Sequence, residues 1–193
     1  MAGNSQKNPN PQGKGQVPVL ADWQAMRPGE VGEKAPALLL LNWFVSTLVL
    51  SAEFSFRPVV GVTYHLYLAG QRWKLSLIGP DEWGDRTPGV YLGACLLRRD
   101  TTWDLQPCAS GLQQPAIRER LAELADDFVE TLDGSESVRE ALPGYRRNLP
   151  YYQRMLATAL GSSLRDSAQR LGMLNAPGRL LLNDAPRALE QLA

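Results

Sequence analysis

The chain has 193 residues, of which 44% are hydrophobic and 21% are charged, values typical of one folded domain with additional tails. Twenty basic residues balance twenty acidic residues, so no net positive charge draws the protein to nucleic acid or to an anionic membrane. Two cysteines and one histidine are too few for a structural zinc site with four ligands. We therefore expect no metal site and no nucleic-acid partner.

Residues 1–35 are predicted to form a disordered tail. They are rich in proline and glycine and show no apolar period. One island, residues 17–26, contains Leu20 and Trp23 and is apolar enough to pack on this protein or on a partner. No charged segment followed by an apolar core marks a secretory signal. Because the two cysteines also suit a reducing compartment, we expect a cytoplasmic protein.

Residues 36–52 are predicted to form a helix that is covered on several sides. The segment is apolar on most faces, and Pro36 suits the first position of a helix. A helix that spans a membrane needs about 20 apolar residues, whereas this run is shorter and is interrupted by Asn42 and Ser46. We therefore favour a buried core helix over a membrane anchor and expect no membrane partner.

Residues 53–107 are predicted to form a small antiparallel β-meander of about four or five strands. Apolar and polar residues alternate on both sides of a turn at Gly70, which is the pattern of a β-hairpin. A loop at 80–89 precedes the third strand, in which Gly93 is expected to admit a close backbone approach. The fourth strand is predicted to begin at Trp103.

Residues 112–193 are predicted to be helical. From Pro115 onward, apolar residues recur at steps of three and four, and Gly134 supplies a stop. A short helix and a longer one follow, and Asn183 or Asp184 is expected to cap one or two final turns. The longer helix contains a glycine at 161 that is expected to let a neighbour pack closely.

These segments predict an α+β fold. Residues 36–193 are expected to form a single domain, in which the sheet of 53–107 packs against the flanking helices. A change from period two to a helical period, with strands before helices, is typical of this class.

Four short elements in a fixed order resemble a family of small, uncharacterised proteins found in bacteria and eukaryotes. They are Tyr-x-Leu-Tyr at 64–67, Ser-Leu-Ile-x-Pro-x-Glu-Trp-Gly at 76–84, Tyr-Leu-Gly at 91–93 and Asp-x-x-Trp at 100–103. The resemblance implies a shared sheet module, a domain of unknown function. It implies no established activity and no set of catalytic residues.

His65 is the single histidine of the chain, so any catalytic dyad or triad with an imidazole must use it. On the predicted strand it faces away from the apolar side, where a half-exposed histidine without catalytic role is the favoured interpretation. A general base is the alternative, and it requires a carboxylate or thiol within hydrogen-bond reach. The candidates near it in sequence are Asp81, Glu82 and Cys95. We assign no catalytic residue.

The Asp81-Glu82-Trp83 segment could suggest paired acids beside an aromatic platform, as in sugar-cleaving sites. Adjacent acids rarely converge, however, and acidic residues after a proline are typical of a short helical turn. We expect Trp83 to cover the edge of the sheet, because buried aromatic side chains dominate small cores. The alternative is a ligand or peptide pocket that Trp83 forms with Tyr64 or Tyr67.

The favoured function is a non-enzymatic interaction or scaffold module that binds an unidentified protein partner or a second copy of itself. No glycine-rich phosphate loop is present, and we predict no cofactor. The alternative is a small-molecule-binding protein or enzyme. Its candidate binding residues are Tyr64, His65, Tyr67, Glu82 and Trp83. A cavity with converging polar groups favours this alternative, whereas a sheet face filled by aromatic side chains favours the interaction module.

Overall fold

The computed structural model describes residues 21–22, 24, 26–29 and 31–185. Their α+β architecture confirms the predicted class. Within this part of the chain the elements are α1 (Pro36–Ser51), β1 (Thr63–Ala69), β2 (Arg72–Ser76), β3 (Val90–Leu97), β4 (Trp103–Pro107), α2 (Ala109–Leu112), α3 (Pro115–Asp133), α4 (Val138–Ala141), α5 (Tyr151–Arg170) and α6 (Arg179–Leu182). The predicted tail over 1–20, Trp23 and the final turns predicted beyond Ala185 lie outside the described residues.

The sheet is antiparallel, as predicted, but its connectivity is not that of a meander. Among the described residues the strand order is β2-β1-β3-β4, so β1 lies between β2 and β3. In a meander β3 would pair with β2. Here the long loop of residues 77–89 carries the chain across β1 instead. The alternating residues after α1 add only an isolated bridge, between Glu53 and Lys74.

Helix α1 is buried on two sides, which confirms the prediction of a core helix. One side contributes Val45, Leu48 and Val49 to a cluster with the apolar face of the sheet. The other side contributes Leu39 and Trp43, together with Leu40, to a second cluster with α3, α5 and α6. A helix that is apolar around its circumference needs this double cover.

None of the helices in the described residues combines the length and the apolar character needed to cross a membrane.

Helix α1 and Glu53, two residues after its C-terminal end, bond to the two edge strands of the sheet. At β4, the backbone N–H of Trp103 donates to the Ser46 hydroxyl at 2.9 Å. At β2, the Glu53 N–H donates to the Trp73 carbonyl at 2.8 Å, and the Leu75 N–H donates to the Glu53 carbonyl at 3.1 Å. Unpaired strand edges can pair with other chains. These hydrogen bonds therefore block strand addition at those positions.

A buried ion pair connects α1 to the turn between β3 and β4. The Lys34 ammonium lies 2.6 Å from the Asp100 carboxylate and donates to Asn42 Oδ1 at 2.8 Å. The same carboxylate accepts from the hydroxyl and the N–H of Thr102. Burial raises the pKa of Asp100, but the hydrogen bonds from Lys34 and Thr102 outweigh it and leave that pKa below its ordinary value. Asp100 is therefore a paired carboxylate that fixes the turn.

Part of the segment assigned by sequence to the tail packs against the domain. We call residues 26–29 and 31–35 the strap. Met26 and Val31 are buried, and the Gly29 N–H donates to the Arg99 carbonyl at 2.7 Å. Composition alone does not reveal these contacts, because their partners lie far away along the chain.

Close backbone approaches occur at the two expected glycines. A side chain at Gly93 would collide with the carbonyl of Gln106 on β4. A side chain at Gly161 would collide with the carbonyl of Pro143, which precedes α5. Both expectations are confirmed.

The first prediction concerns Ser46, which we replace by alanine. The substitution leaves the buried N–H of Trp103 without its partner and is expected to destabilise the protein by about 1–3 kcal/mol. Urea unfolding measures the change. Thr47→Ala is the matched control, because the Thr47 hydroxyl bonds to a carbonyl of its own helix. Equal effects of the two substitutions would contradict the role of Ser46.

The second prediction concerns Thr101, which has a positive φ of 64°. Its buried hydroxyl has no hydrogen-bond partner among the described residues. A left-handed conformation costs an L residue about 1–2 kcal/mol, so Thr101→Gly is expected to stabilise the protein by about 1 kcal/mol after the loss of chain entropy. The midpoint of urea unfolding reports the gain. Thr102→Val should lower that midpoint, because Thr102 donates to Asp100. A midpoint of urea unfolding that is lower in Thr101→Gly than in the native protein would contradict backbone strain at Thr101.

Candidate functional site

The candidate site lies on the face of the sheet that points away from α1, which we call the outer face. His65 and Tyr67 point to this face from β1, because the alternate residues Tyr64, Leu66 and Leu68 enter the core. A β-bulge in β3 brings Tyr91 opposite Tyr67, since the pairing shifts after Leu66. The Tyr67 and Tyr91 rings lie with their centroids 5.2 Å apart.

Without the bulge, Leu92 would pair with Tyr67 and lie on the outer face. Leu92 is instead the extra, unpaired residue of the bulge. Its side chain turns into the core, where it is fully buried. The bulge thus builds the aromatic cluster on one face and fills the core on the other.

The loop that follows β2 is fastened over Tyr67. The Tyr67 hydroxyl and the Trp83 indole N–H both donate to the carbonyl of Ile78, at 3.0 and 3.2 Å. The Trp83 ring meets Tyr67 edge-on, with 6.4 Å between ring centroids. Trp83 therefore covers the face of the sheet, and the expectation that it covers the edge is wrong. The edge at β2 is already paired with Glu53.

Glu82 supports the same loop. The predicted helical turn forms as a 3₁₀ turn over Pro80–Glu82, and Glu82 Oε1 accepts from the N–H of Gly79 at 2.9 Å. Asp81 lies exposed in this turn. Glu82 is exposed as well, so the two acids differ in the hydrogen bond by which Glu82 holds the turn in shape.

His65 contacts the loop and the neighbouring strand. Its Nδ1 lies 3.3 Å from the Tyr91 hydroxyl. Its Nε2 lies against Gly79. A Cβ atom placed on that glycine would be 3.2 Å from His65 Nε2 and 3.3 Å from Glu82 Oε1. Burial lowers the pKa of His65, and the nearby Glu82 charge raises it, with a net pKa below the ordinary 6.5. The imidazole is therefore neutral at pH 7.

The two cysteines differ in environment. Cys95 belongs to the core cluster, and burial raises the pKa of its thiol to about 12. It lies on the opposite face from His65, so it cannot serve as the predicted thiol partner. Cys108 is partly exposed, and hydrogen bonds from the Ser110 hydroxyl and from the N–H groups of Gly111 and Ser110 lower its pKa.

Tyr64 does not join the other predicted binding residues. Its ring stacks on Phe56 with centroids 5.4 Å apart and meets Trp103 edge-on at 5.7 Å. Its hydroxyl accepts from the N–H of Val59. The structure thus brings His65, Tyr67, Glu82 and Trp83 together on the outer face and leaves Tyr64 in the core.

Tyr91 is the member of the cluster that sequence reasoning did not assign to the site. Burial raises the pKa of its hydroxyl to about 12, so the hydroxyl stays protonated beside His65. The sequence of β3, VYLGACLL, is apolar at almost every position, so the break in its alternation, by which Leu92 and Cys95 both face the core, is visible only in the structure. Such a break indicates a bulge.

Residues 46–114 match the model of a family described as "Protein of unknown function (DUF2452)". The predicted resemblance to a domain of unknown function is confirmed. We call residues 46–114 the DUF2452 region. Searches against curated proteins and against solved structures gave no match.

The DUF2452 region contains residues 46–51 of α1, the sheet and α2. It also contains the outer-face cluster, by which we mean His65, Tyr67, Glu82, Trp83 and Tyr91. Its first residue, Ser46, accepts the hydrogen bond from Trp103. Lys34 and Asn42, which complete the contacts of the β3–β4 turn, lie before this region. Helices α3 to α6, which cover the other side of α1, lie after it.

The polar atoms of the cluster are largely engaged with one another. Ile78 accepts from Tyr67 and Trp83, while Glu82 accepts from the chain at Gly79. Within the part of the chain that the structure describes, no three His, Cys, Asp or Glu side chains form a group able to hold a metal ion. The arrangement is suited to hold the loop on the sheet.

The third prediction uses the single histidine as its own probe. Glu82→Gln is expected to lower the pKa of His65 further, because the Glu82 charge raises it in the native protein. An NMR titration of the imidazole resonances measures this value. Asp81→Asn is the matched control and should leave the resonance titration unchanged.

The lowered pKa of His65 in the native protein also determines how His65 affects the free energy of unfolding as the pH changes. The native state binds the His65 proton less tightly than the unfolded chain does. The contribution of His65 to stability is therefore present above pH 6.5 and is lost as the pH falls through the lowered pKa.

For the third prediction, a rise in the pKa of His65 in Glu82→Gln would contradict the proximity of the Glu82 carboxylate to the His65 imidazole.

Proposed function

We propose that this protein is a non-enzymatic interaction or scaffold module that presents the loop of residues 77–89 to a protein partner. The observation that carries the proposal is the closure of the outer-face cluster on itself. Tyr67 and Trp83 both donate to Ile78, and Glu82 holds the turn at Gly79. A small-molecule site directs its polar groups into an open cavity. Here those groups support a loop.

The supported loop carries exposed apolar side chains. Leu77 is 55% exposed and Ile78 is 39% exposed. Ile78 is fixed at its carbonyl by two hydrogen bonds, so its side chain is presented from a rigid backbone. Rigid apolar side chains lose little conformational entropy on binding and are typical of protein contact surfaces. This supports recognition of a protein with a complementary apolar surface, either a second copy or another protein.

We also propose a cytoplasmic location. The fold holds Cys95 buried and Cys108 partly exposed, and neither forms a disulfide. Two unpaired thiols suit a reducing compartment.

A small-molecule-binding protein or enzyme is the second candidate. The observation that favours it is the neutral imidazole of His65. Its Nε2 and the Oε1 of Glu82 both lie against Gly79. A neutral imidazole beside a carboxylate is the form in which histidine acts as a general base. In this proposal the site consists of His65, Tyr67, Glu82 and Trp83.

The fourth prediction compares two exposed apolar residues. Tagged full-length protein is used to capture partners from cell extract, and the captured proteins are quantified by mass spectrometry. Leu77→Asp is expected to reduce capture of a specific partner by about tenfold or more, because a charge enters the apolar contact. Val129→Asp, a matched change at a side chain exposed to 42% on α3, should retain the partner.

Thermal unfolding of both variants shows whether the fold is intact. Capture that is equal for both folded variants would argue against the loop as the recognition surface. Turnover of a metabolite that is lost in His65→Ala would instead favour the second candidate.

A further inference from the structure

Helix α3 packs on the domain along one side and leaves the neighbouring side uncovered. Two of its nineteen residues, Ile117 and Leu132, are buried, whereas α5 buries eleven of twenty. Val129 is 42% exposed and belongs to neither hydrophobic cluster of the described residues. The described part of the chain therefore leaves the side of α3 that carries Val129 in contact with water.

The uncovered side carries apolar residues between two charges of opposite sign. Its members, which we call the α3 stripe, follow one another at steps of three and four and so share one side of the helix. They are Arg118, Ala122, Ala125, Val129 and Asp133. All are exposed except Ala125, which is half-buried. Arg118 and Asp133 lie equally far from the middle of the stripe, and the stripe is therefore complementary in charge to its own reverse.

The two end charges are unfavourable for α3 on its own. The N-terminal end of a helix carries a partial positive charge, and its C-terminal end carries a partial negative charge. Arg118 lies near the first end and Asp133 lies at the second, so each is beside a partial charge of its own sign. Neither side chain forms an ion pair within the described residues. The described part of the chain thus does not compensate these two charges.

We infer that the α3 stripe binds the α3 stripe of a second copy of this chain, with the two helices antiparallel about a two-fold axis. In such a symmetric contact each residue meets its counterpart at the same distance on the other side of the axis. Arg118 therefore faces Asp133 of the second copy at both ends, and the apolar residues face one another between them. Each end charge then also lies beside a helix end of opposite sign.

The contact is suited to a reversible dimer. Nineteen helical residues span about 28 Å, and one pair of such helices offers less surface than the standard interface of about 1,600 Å². Asp126 lies next to the two-fold axis, where the carboxylates of the two copies repel each other. We therefore expect dimers that form as the protein concentration rises. The inference is independent of the proposed function, because α3 lies after the DUF2452 region.

Sedimentation equilibrium of the full-length protein, at concentrations up to hundreds of micromolar, tests the pairing. The native protein is expected to dimerise. Arg118→Asp and Asp133→Arg are each expected to weaken dimerisation by about tenfold or more, because like charges then face each other at both ends. The double variant Arg118→Asp/Asp133→Arg has opposite charges there again, so its dimerisation should lie within about threefold of the native value.

Two further measurements separate the interface from general effects of charge and folding. Arg165→Asp, at an exposed arginine of α5, is the matched control and should leave dimerisation unchanged. Both single substitutions on α3 place the favourable sign of charge at their helix end, so thermal unfolding of each variant should show no loss of stability. Val129→Asp is expected to dissociate the dimer and still to retain the partner of the loop at 77–89.

A native protein that stays monomeric at every concentration would overturn the inference. A dimer that survives both single substitutions would also overturn it, since the second copy would then bind at another surface. A double variant that fails to dimerise would refute the antiparallel pairing of Arg118 with Asp133. Equal weakening by Arg165→Asp and by Arg118→Asp would refute it as well, because net charge alone would then explain the loss.

Discussion

The rest of the structure depends on covering α1 on two sides. A helix with Leu39 and Trp43 on one side and Leu48 and Val49 on another needs a cover on each of these sides. The sheet supplies one cover, and the C-terminal helices supply the other. Because both clusters share α1, neither cover can be removed without exposing apolar surface of the helix to water. The polar residue Ser46 fits this buried position because its hydroxyl serves the edge of β4.

This constraint gives structural roles to residues of the four short elements on which the predicted resemblance rests. Asp100 fixes the turn with Thr102, and Trp103 fills the core while its N–H reaches Ser46. Glu82 closes the turn after Gly79, and Trp83 covers Tyr67. Each residue stabilises the sheet or its loop through contacts that the structure shows. The requirements of folding therefore account for these residues without any shared chemistry.

Local signals were sufficient for most elements, and long-range contacts explain the rest. Proline at the start of α1 and α3 and alternation in β1 predict these elements, because each signal acts within a few residues. Strand order depends on where the loop after β2 crosses, which no local pattern encodes. The strap reads as a tail because its polar and glycine-rich residues find partners such as Asp100 only in the folded chain. For the candidate site, alternation already separates Tyr64 from Tyr67, so a shared pocket conflicts with the strand period.

The way the edges are covered also limits how this fold can recognise a partner. Strand addition needs unpaired N–H and carbonyl groups at a sheet edge, and those at Trp103, Trp73 and Leu75 are already bonded within the chain. The inner face is filled by α1. In the proposed function, the surface of the sheet module left for recognition is the outer face, where the loop is held by the Ile78 carbonyl and presents the Leu77 side chain. A partner that binds there gains apolar contact with a surface already ordered by Tyr67 and Trp83, so little entropy is lost in shaping it.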